Sequence, residues 1–168
     1  RGRGCGYARY LEGIDPGFVG KRGTQVPEIR GRMQLKFRPL PGTHQQPAVI
    51  QAIARGLPDV FIYSGYGGVL LKSPLLSCGK RFLHVHGGCL PEFRGSTTAY
   101  YQLLQEETLG AAAIFLTEQI DQGPVLATKR FPAPSNRELI DYIYDPAARA
   151  RVLVETLWAF QKSGQWLP

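Results

Sequence analysis

Past Gly42 the chain alternates short apolar runs with stretches of helical period, and that alternation confines it to the α/β class. Val60-Phe61-Ile62-Tyr63 is a β-branched and aromatic run of the kind buried on both faces of a sheet. Arg81 to His86, Ala111 to Leu116 and Val125-Leu126-Ala127 read as further strands. Helix signals lie between and after them. Gln46 to Arg55 sets Val49, Ile50 and Ile53 on one face and stops at Gly56. Ser96 or Thr97 caps a segment in which Tyr100, Leu103 and Leu104 share a face, with Gly110 as its stop. Ser135-Asn136-Arg137-Glu138 has the form of a capping box ahead of Leu139, Ile140 and Ile143. Asp145 as N-cap, with Pro146 at the first helical position, opens a last helix through Ala148, Val152, Leu153 and Leu157. This order predicts a mostly parallel, Rossmann-like sheet flanked by helices, with ligands beyond the carboxyl ends of its strands.

Charge divides the 168 residues into two parts. Residues 1–42 hold nine Lys and Arg against Glu12, Asp15 and Glu28, and nine of the 20 glycines; they carry +6 of the net +7. Residues 43–168 are nearly balanced and form the expected core domain. A basic, Gly-rich segment reads as a solvated arm or as a cradle for phosphates through backbone N–H groups. Gly2-Arg3-Gly4-Cys5-Gly6 has neither a preceding strand nor a P-loop lysine, so it is a weak nucleotide signal. Met33 to Phe37 alternates in a way that suits one edge strand. Val60 to Leu71, the longest apolar stretch, is broken by Ser64 and three glycines, so no membrane span is expected. Cys5, Cys78 and Cys89 lack metal-type spacing, which favours reduced thiols and a cytoplasmic setting.

The chemistry concentrates at His84 and His86. Two apart on a strand, their imidazoles leave the same face just before Gly87-Gly88. Asp121 follows beyond the next strand, where an adjacent parallel strand would bring its carboxylate close. Spacing alone leaves three readings open: satisfied structural histidines, a two-histidine, one-carboxylate metal site, or acid/base catalysis at a carbonyl.

His84-Val85-His86-Gly87-Gly88-Cys89-Leu90-Pro91, with Ile120-Asp121-Gln122-Gly123-Pro124 downstream, resembles the folate-dependent formyltransferases. That family includes glycinamide ribonucleotide, methionyl-tRNA and amino-sugar N-formyltransferases. The resemblance covers roughly residues 43–131 and includes the Pro58-Asp59-Val60 strand and the Gly65 loop. It implies that His86 and Asp121 are the catalytic histidine and aspartate, and that His84 stands where the family has asparagine. The motif's serine falls on Gly88 and its first leucine on Cys89. The implied reaction is transfer of a formyl group from 10-formyltetrahydrofolate to an amine, with no metal. His86 and His84 would stabilise the oxyanion, and Asp121 would tune the imidazole and help relay the amine proton. The folate would lie against Gly65, Tyr66, Gly67, Gly68, Val69 and Leu70, and against Leu116, Thr117, Glu118, Gln119 and Ile120.

The resemblance leaves the acceptor open among an amino sugar, an amino-acid derivative and an aminoacyl-tRNA. Water as acceptor would make a hydrolase of the same machinery. A non-catalytic module whose basic arm binds a polyanion is the competing class, and any nucleic-acid contact would run through that arm. Family members begin with a strand and a glycine loop; residues 1–42 either lack this part or have diverged from it. Cys89 is not needed as a nucleophile, because formyl transfer to an amine requires no covalent enzyme intermediate.

Overall fold

A computed structural model describes residues 46–64 and 70–166. The basic arm, the Met33–Phe37 strand and the loop residues Gly65, Tyr66, Gly67, Gly68 and Val69 lie outside the described residues. Helix α1 (Pro47–Ala54) buries Val49 and Ile53, as the spacing predicts. Strand β1 (Val60–Ile62), a one-turn helix α2 (Ser73–Leu76) and strand β2 (Arg81–Gly87) follow. Helix α3 (Thr98–Glu106) and strands β3 (Thr108–Phe115) and β4 (Val125–Pro132) come next. A 3-10 turn (Arg137–Leu139) and a π turn (Ile140–Tyr144) then lead into the long helix α4 (Asp145–Ser163).

The four strands form one sheet in the order β1-β2-β3-β4. The α/β class with flanking helices stands, but the pairing is mixed rather than mostly parallel. Only β1 and β2 pair in parallel among the described strands; β2–β3 and β3–β4 are antiparallel. The cause is the connection after β2. A parallel crossover must carry the chain back along the whole strand before the next one starts. Here Gly88 N–H already bonds the Gly110 carbonyl, so β3 begins beside the end of β2 and can only run backwards.

The strands divide the core into two sides. Leu83 and Val85 of β2 pack with Ala111, Ala113 and Phe115 of β3 against Leu103 of α3 and Ala148, Val152 and Leu157 of α4. Phe82, on the other face of β2, packs with Val49, Ile53, Leu71 and Leu75 from α1, α2 and the segment before α2. Ala111, Ala112 and Ala113 are wholly buried, so helices or loops approach β3 closely on both faces.

Three local expectations change under tertiary packing. Val60–Tyr63 is not buried on both faces: Ile62 is exposed, and β1 is the outer described strand of the sheet. The buried face of α3 is Thr98, Ala99, Gln102 and Leu103, while Tyr100 and Leu104 are exposed. Gln102 is inside because its amide meets the Cys89 N–H and Sγ and the Thr108 hydroxyl. Gly110 is not the helix stop. Glu107 ends α3 at φ 54°, and Gly110 sits in β3 where a Cβ would collide with the Gln102 amide. At the last helix, Asp145 is already helical and pairs with Arg149 instead of capping.

Candidate active site

β2 delivers both histidines on one face, as its period of two requires. His86 is 6% exposed. Its Nε2–H donates to the Phe93 carbonyl at 2.7 Å, with the Thr98 hydroxyl oxygen 3.2 Å away. That hydroxyl in turn donates to the Gly87 carbonyl, so the segment following β2 clamps the ring by its Nε2 edge. The proton is thereby assigned to Nε2 in the neutral ring. Nδ1 faces Asp121 Oδ1 at 3.5 Å, which is ion-pair range but too long for a hydrogen bond.

Asp121 reaches His86 by a route other than the expected parallel neighbour. β3 runs away from His86, and the chain then doubles back. Leu116 N–H bonds the Phe82 carbonyl, and Phe115 N–H bonds the Pro124 carbonyl, so residues 116–123 form a closed loop over the sheet. Gly123 lies so close to the Phe115 carbonyl that a Cβ there would overlap it. Asp121 itself sits at φ 53°, in the left-handed region that Asp tolerates better than most residues. Its Oδ2 accepts from Gly95 N–H at 2.8 Å, which orients Oδ1 toward the imidazole.

His84 is half-buried and donates from Nδ1 to the Tyr63 carbonyl at 3.1 Å. That bond places the proton on Nδ1 of the neutral ring and leaves Nε2 an acceptor. Burial pushes its pKa below 6.5, and the charges of His86 and Arg149 act in the same direction against the Tyr63 bond and Asp121. Neutral His84 is thus the form this environment favours. Among the described residues His84, His86 and Asp121 do not compose a group of three side chains able to hold a metal ion.

Thr117, Glu118, Gln119 and Ile120 are exposed on the rim of this loop, with Leu116 half-buried beneath them. Leu70 is exposed, while the five residues before it lie outside the described residues. Cys89 is fully buried and its thiol is pushed up by burial, which makes it inert. Sequence reading missed Phe93 and Thr98 as partners of His86, and also the pair Asp145–Arg149, which reaches the end of β2. A carboxylate and a guanidinium four residues apart at a helix start were the visible signal for the pair.

The formyl transferase family matches residues 25–149. Methionyl-tRNA formyltransferase of Roseiflexus sp. is 26% identical over 88% of this chain and 46% of its own length. The Myxococcus xanthus enzyme of the same name is 32% identical over 73% of this chain and 39% of its own length. The chain thus spans less than half the length of these curated relatives. Phosphoribosylglycinamide formyltransferase from Bacillus halodurans superposes with a TM-score of 0.57 at 21% identity, covering 70% of this chain and 62% of that one. HypX from Aquifex aeolicus, solved in complex with tetrahydrofolic acid, gives 0.53 at 19% identity, covering 71% and 21%. The two structures share the fold. With the family matched across most of its length, this chain belongs to the formyl transferase family.

Proposed function

We propose that the chain transfers a formyl group from 10-formyltetrahydrofolate to the amine of an acceptor. The observation that carries this is His86 at the carboxyl end of β2, fixed at Nε2 by a backbone carbonyl and with Nδ1 turned to the Asp121 carboxylate.

In the reaction the acceptor nitrogen bonds to the formyl carbon, and the carbonyl electron pair moves onto the formyl oxygen. Protonated His86 donates Nδ1–H to that oxygen, and the Asp121 carboxylate offsets the imidazolium charge. His84 takes a role different from the oxyanion donor implied by the asparagine it replaces. With Nδ1–H committed to Tyr63, its free nitrogen accepts, so neutral His84 receives the proton leaving the acceptor amine. Collapse restores the carbonyl and breaks the bond to N10 of the folate, which leaves carrying one proton; overall one proton passes from acceptor nitrogen to N10. The exposed 117–120 rim and Leu70 would flank the folate. The chemistry of the site itself needs only oxyanion donors and a proton relay, and no Lewis acid.

The test is an absorbance assay of tetrahydrofolate release with a panel of amines: amino sugars, amino acids and an aminoacyl-tRNA. Calorimetry with a stable 10-formyl folate analogue runs beside it. Saturable binding and amine-dependent release support the reading. No binding at millimolar analogue and no rise in melting temperature overturn it.

A further inference from the structure

The two nitrogens of His86 meet opposing groups. Nδ1 faces the Asp121 carboxylate, with Oδ1 3.5 Å away. Nε2 faces two oxygens, the Phe93 carbonyl at 2.7 Å and the Thr98 hydroxyl at 3.2 Å. A carboxylate draws the single proton of a neutral imidazole to the nitrogen beside it, and acceptors at the other nitrogen draw it there instead. The balance decides at which nitrogen the ring gains and loses its second proton.

Thr98 weighs on that balance. It opens α3 and is 5% exposed. Its hydroxyl proton is committed to the Gly87 carbonyl, one residue past His86. The oxygen can then only accept at Nε2, and donating to Gly87 makes it a better acceptor. The path from His86 Nε2–H through Thr98 Oγ1 to the Gly87 carbonyl thus ties the imidazole back to its own strand. Gly88 leaves room for this: a Cβ there would lie 3.1 Å from Cβ and Oγ1 of Thr98 and from Cβ of Phe93. The chain turns into α3 at Thr97, at φ 57° and ψ 22°, whose hydroxyl donates to the Ser96 carbonyl instead of capping the helix. A β-branched residue rests in the left-handed region only where its surroundings impose it. Here residues 93–98 hold both members of the site: Gly95 N–H binds Asp121, and Phe93 and Thr98 bind His86.

We propose that Thr98 is a positioning residue that keeps the proton of neutral His86 on Nε2, so that the proton His86 exchanges in the reaction is the one on Nδ1, beside Asp121. The proposal rests on the formyl-transfer reading, in which Nδ1–H is the oxyanion donor. Thr98 acts through the ring and touches neither folate nor acceptor in this role. Without its hydroxyl, Asp121 competes against the Phe93 carbonyl alone, and the Nδ1–H tautomer gains. A ring in that tautomer takes its second proton at Nε2, on the edge away from Asp121.

Four variants test this. Thr98→Val and Thr98→Ala remove the hydroxyl, and Thr98→Ser keeps it. Thr156→Val removes a threonine hydroxyl that is just as buried, at 6% exposure, but bonds the Val152 carbonyl within α4. The readouts are the ring-nitrogen NMR shifts of His86 where it is neutral, kcat and KM for tetrahydrofolate release, and the Kd of the 10-formyl folate analogue. Thr98→Val and Thr98→Ala should raise the ratio of Nδ1–H to Nε2–H tautomer about fivefold or more. Their kcat should fall about tenfold, while Thr98→Ser and Thr156→Val stay within about threefold and the analogue's Kd within about twofold throughout. A tautomer indifferent to the Thr98 hydroxyl, a fall in kcat that serine does not rescue, an equal fall in Thr156→Val, or unfolding of both hydroxyl-free variants overturns the proposal and leaves formyl transfer standing. An unmodified chain that neither binds the analogue nor releases tetrahydrofolate overturns the formyl-transfer reading itself, and the tautomer ratio still decides whether Thr98 places the proton.

Discussion

Beyond Phe82, the two faces of β2 are held by different forces. On one, Leu83 and Val85 are packed among apolar side chains of β3, α3 and α4, and any neighbour of the right volume would serve. On the other, His84 and His86 direct ring N–H groups at the carbonyls of Tyr63 and Phe93, and only a group with that donor in that direction can replace them. Packing fixes where the strand lies; directional bonds fix which atoms of the site remain open. A substitution on the first face should therefore cost stability, and one on the second should cost chemistry.

The largest expected effects separate the faces cleanly. His86→Ala and Asp121→Asn should each lower tetrahydrofolate release by about 10²–10³-fold or more, with the chain still folded. Leu83→Ala, at a fully buried position, should cost about 2–5 kcal/mol in denaturant unfolding. If His86→Ala unfolds the chain while Leu83→Ala does not, the division of labour is wrong. Gly123→Ala sharpens the comparison from outside β2. Its Cβ overlaps the Phe115 carbonyl, so the returning loop must shift, at a cost of about 1–3 kcal/mol. Because that loop carries Asp121, turnover should fall too, unlike in an ordinary core variant of equal stability.

His84 tests the polar face by pH. Its folded pKa lies below the unfolded 6.5, so the unfolded chain binds the proton more tightly. The stability this contributes is complete above about 6.5 and is lost as pH falls through the lower folded value. Turnover, which needs the neutral ring, should fall in the same direction. His84→Asn should flatten both acid limbs; an activity profile unchanged by it would remove His84 from the reaction. The smallest effect is expected at Cys89→Ala. The thiol is buried and disfavoured as thiolate, so turnover should stay within about twofold. Loss of turnover there without loss of stability would reopen a thiol mechanism.

Much of the local frame was legible in the residues. Val49 and Ile53 on α1, the 81–87 strand and the course of the last helix follow from spacing, turn residues and proline placement. The inward turn of Gln102 was not legible, because an amide reads as surface until Cys89 and Thr108 arrive from elsewhere in the chain. Asp145 carried a local signal for a cap, but Arg149 one turn on offered a charge that the cap position did not.

Sequence by itself determined that His84 and His86 share a face, because strand period is a property of the backbone and needs no partner. It determined equally that the strand must end at Gly87-Gly88, and that the motif around Asp121 belongs with it. Tertiary structure decided the rest. The direction of β3, the doubled-back loop that carries Asp121 to within 3.5 Å of His86, and the tautomer of each ring depend on carbonyls and strand ends far apart in the chain. Such contacts form only when the whole sheet closes, since no local preference of the residues between them encodes the distance they must span.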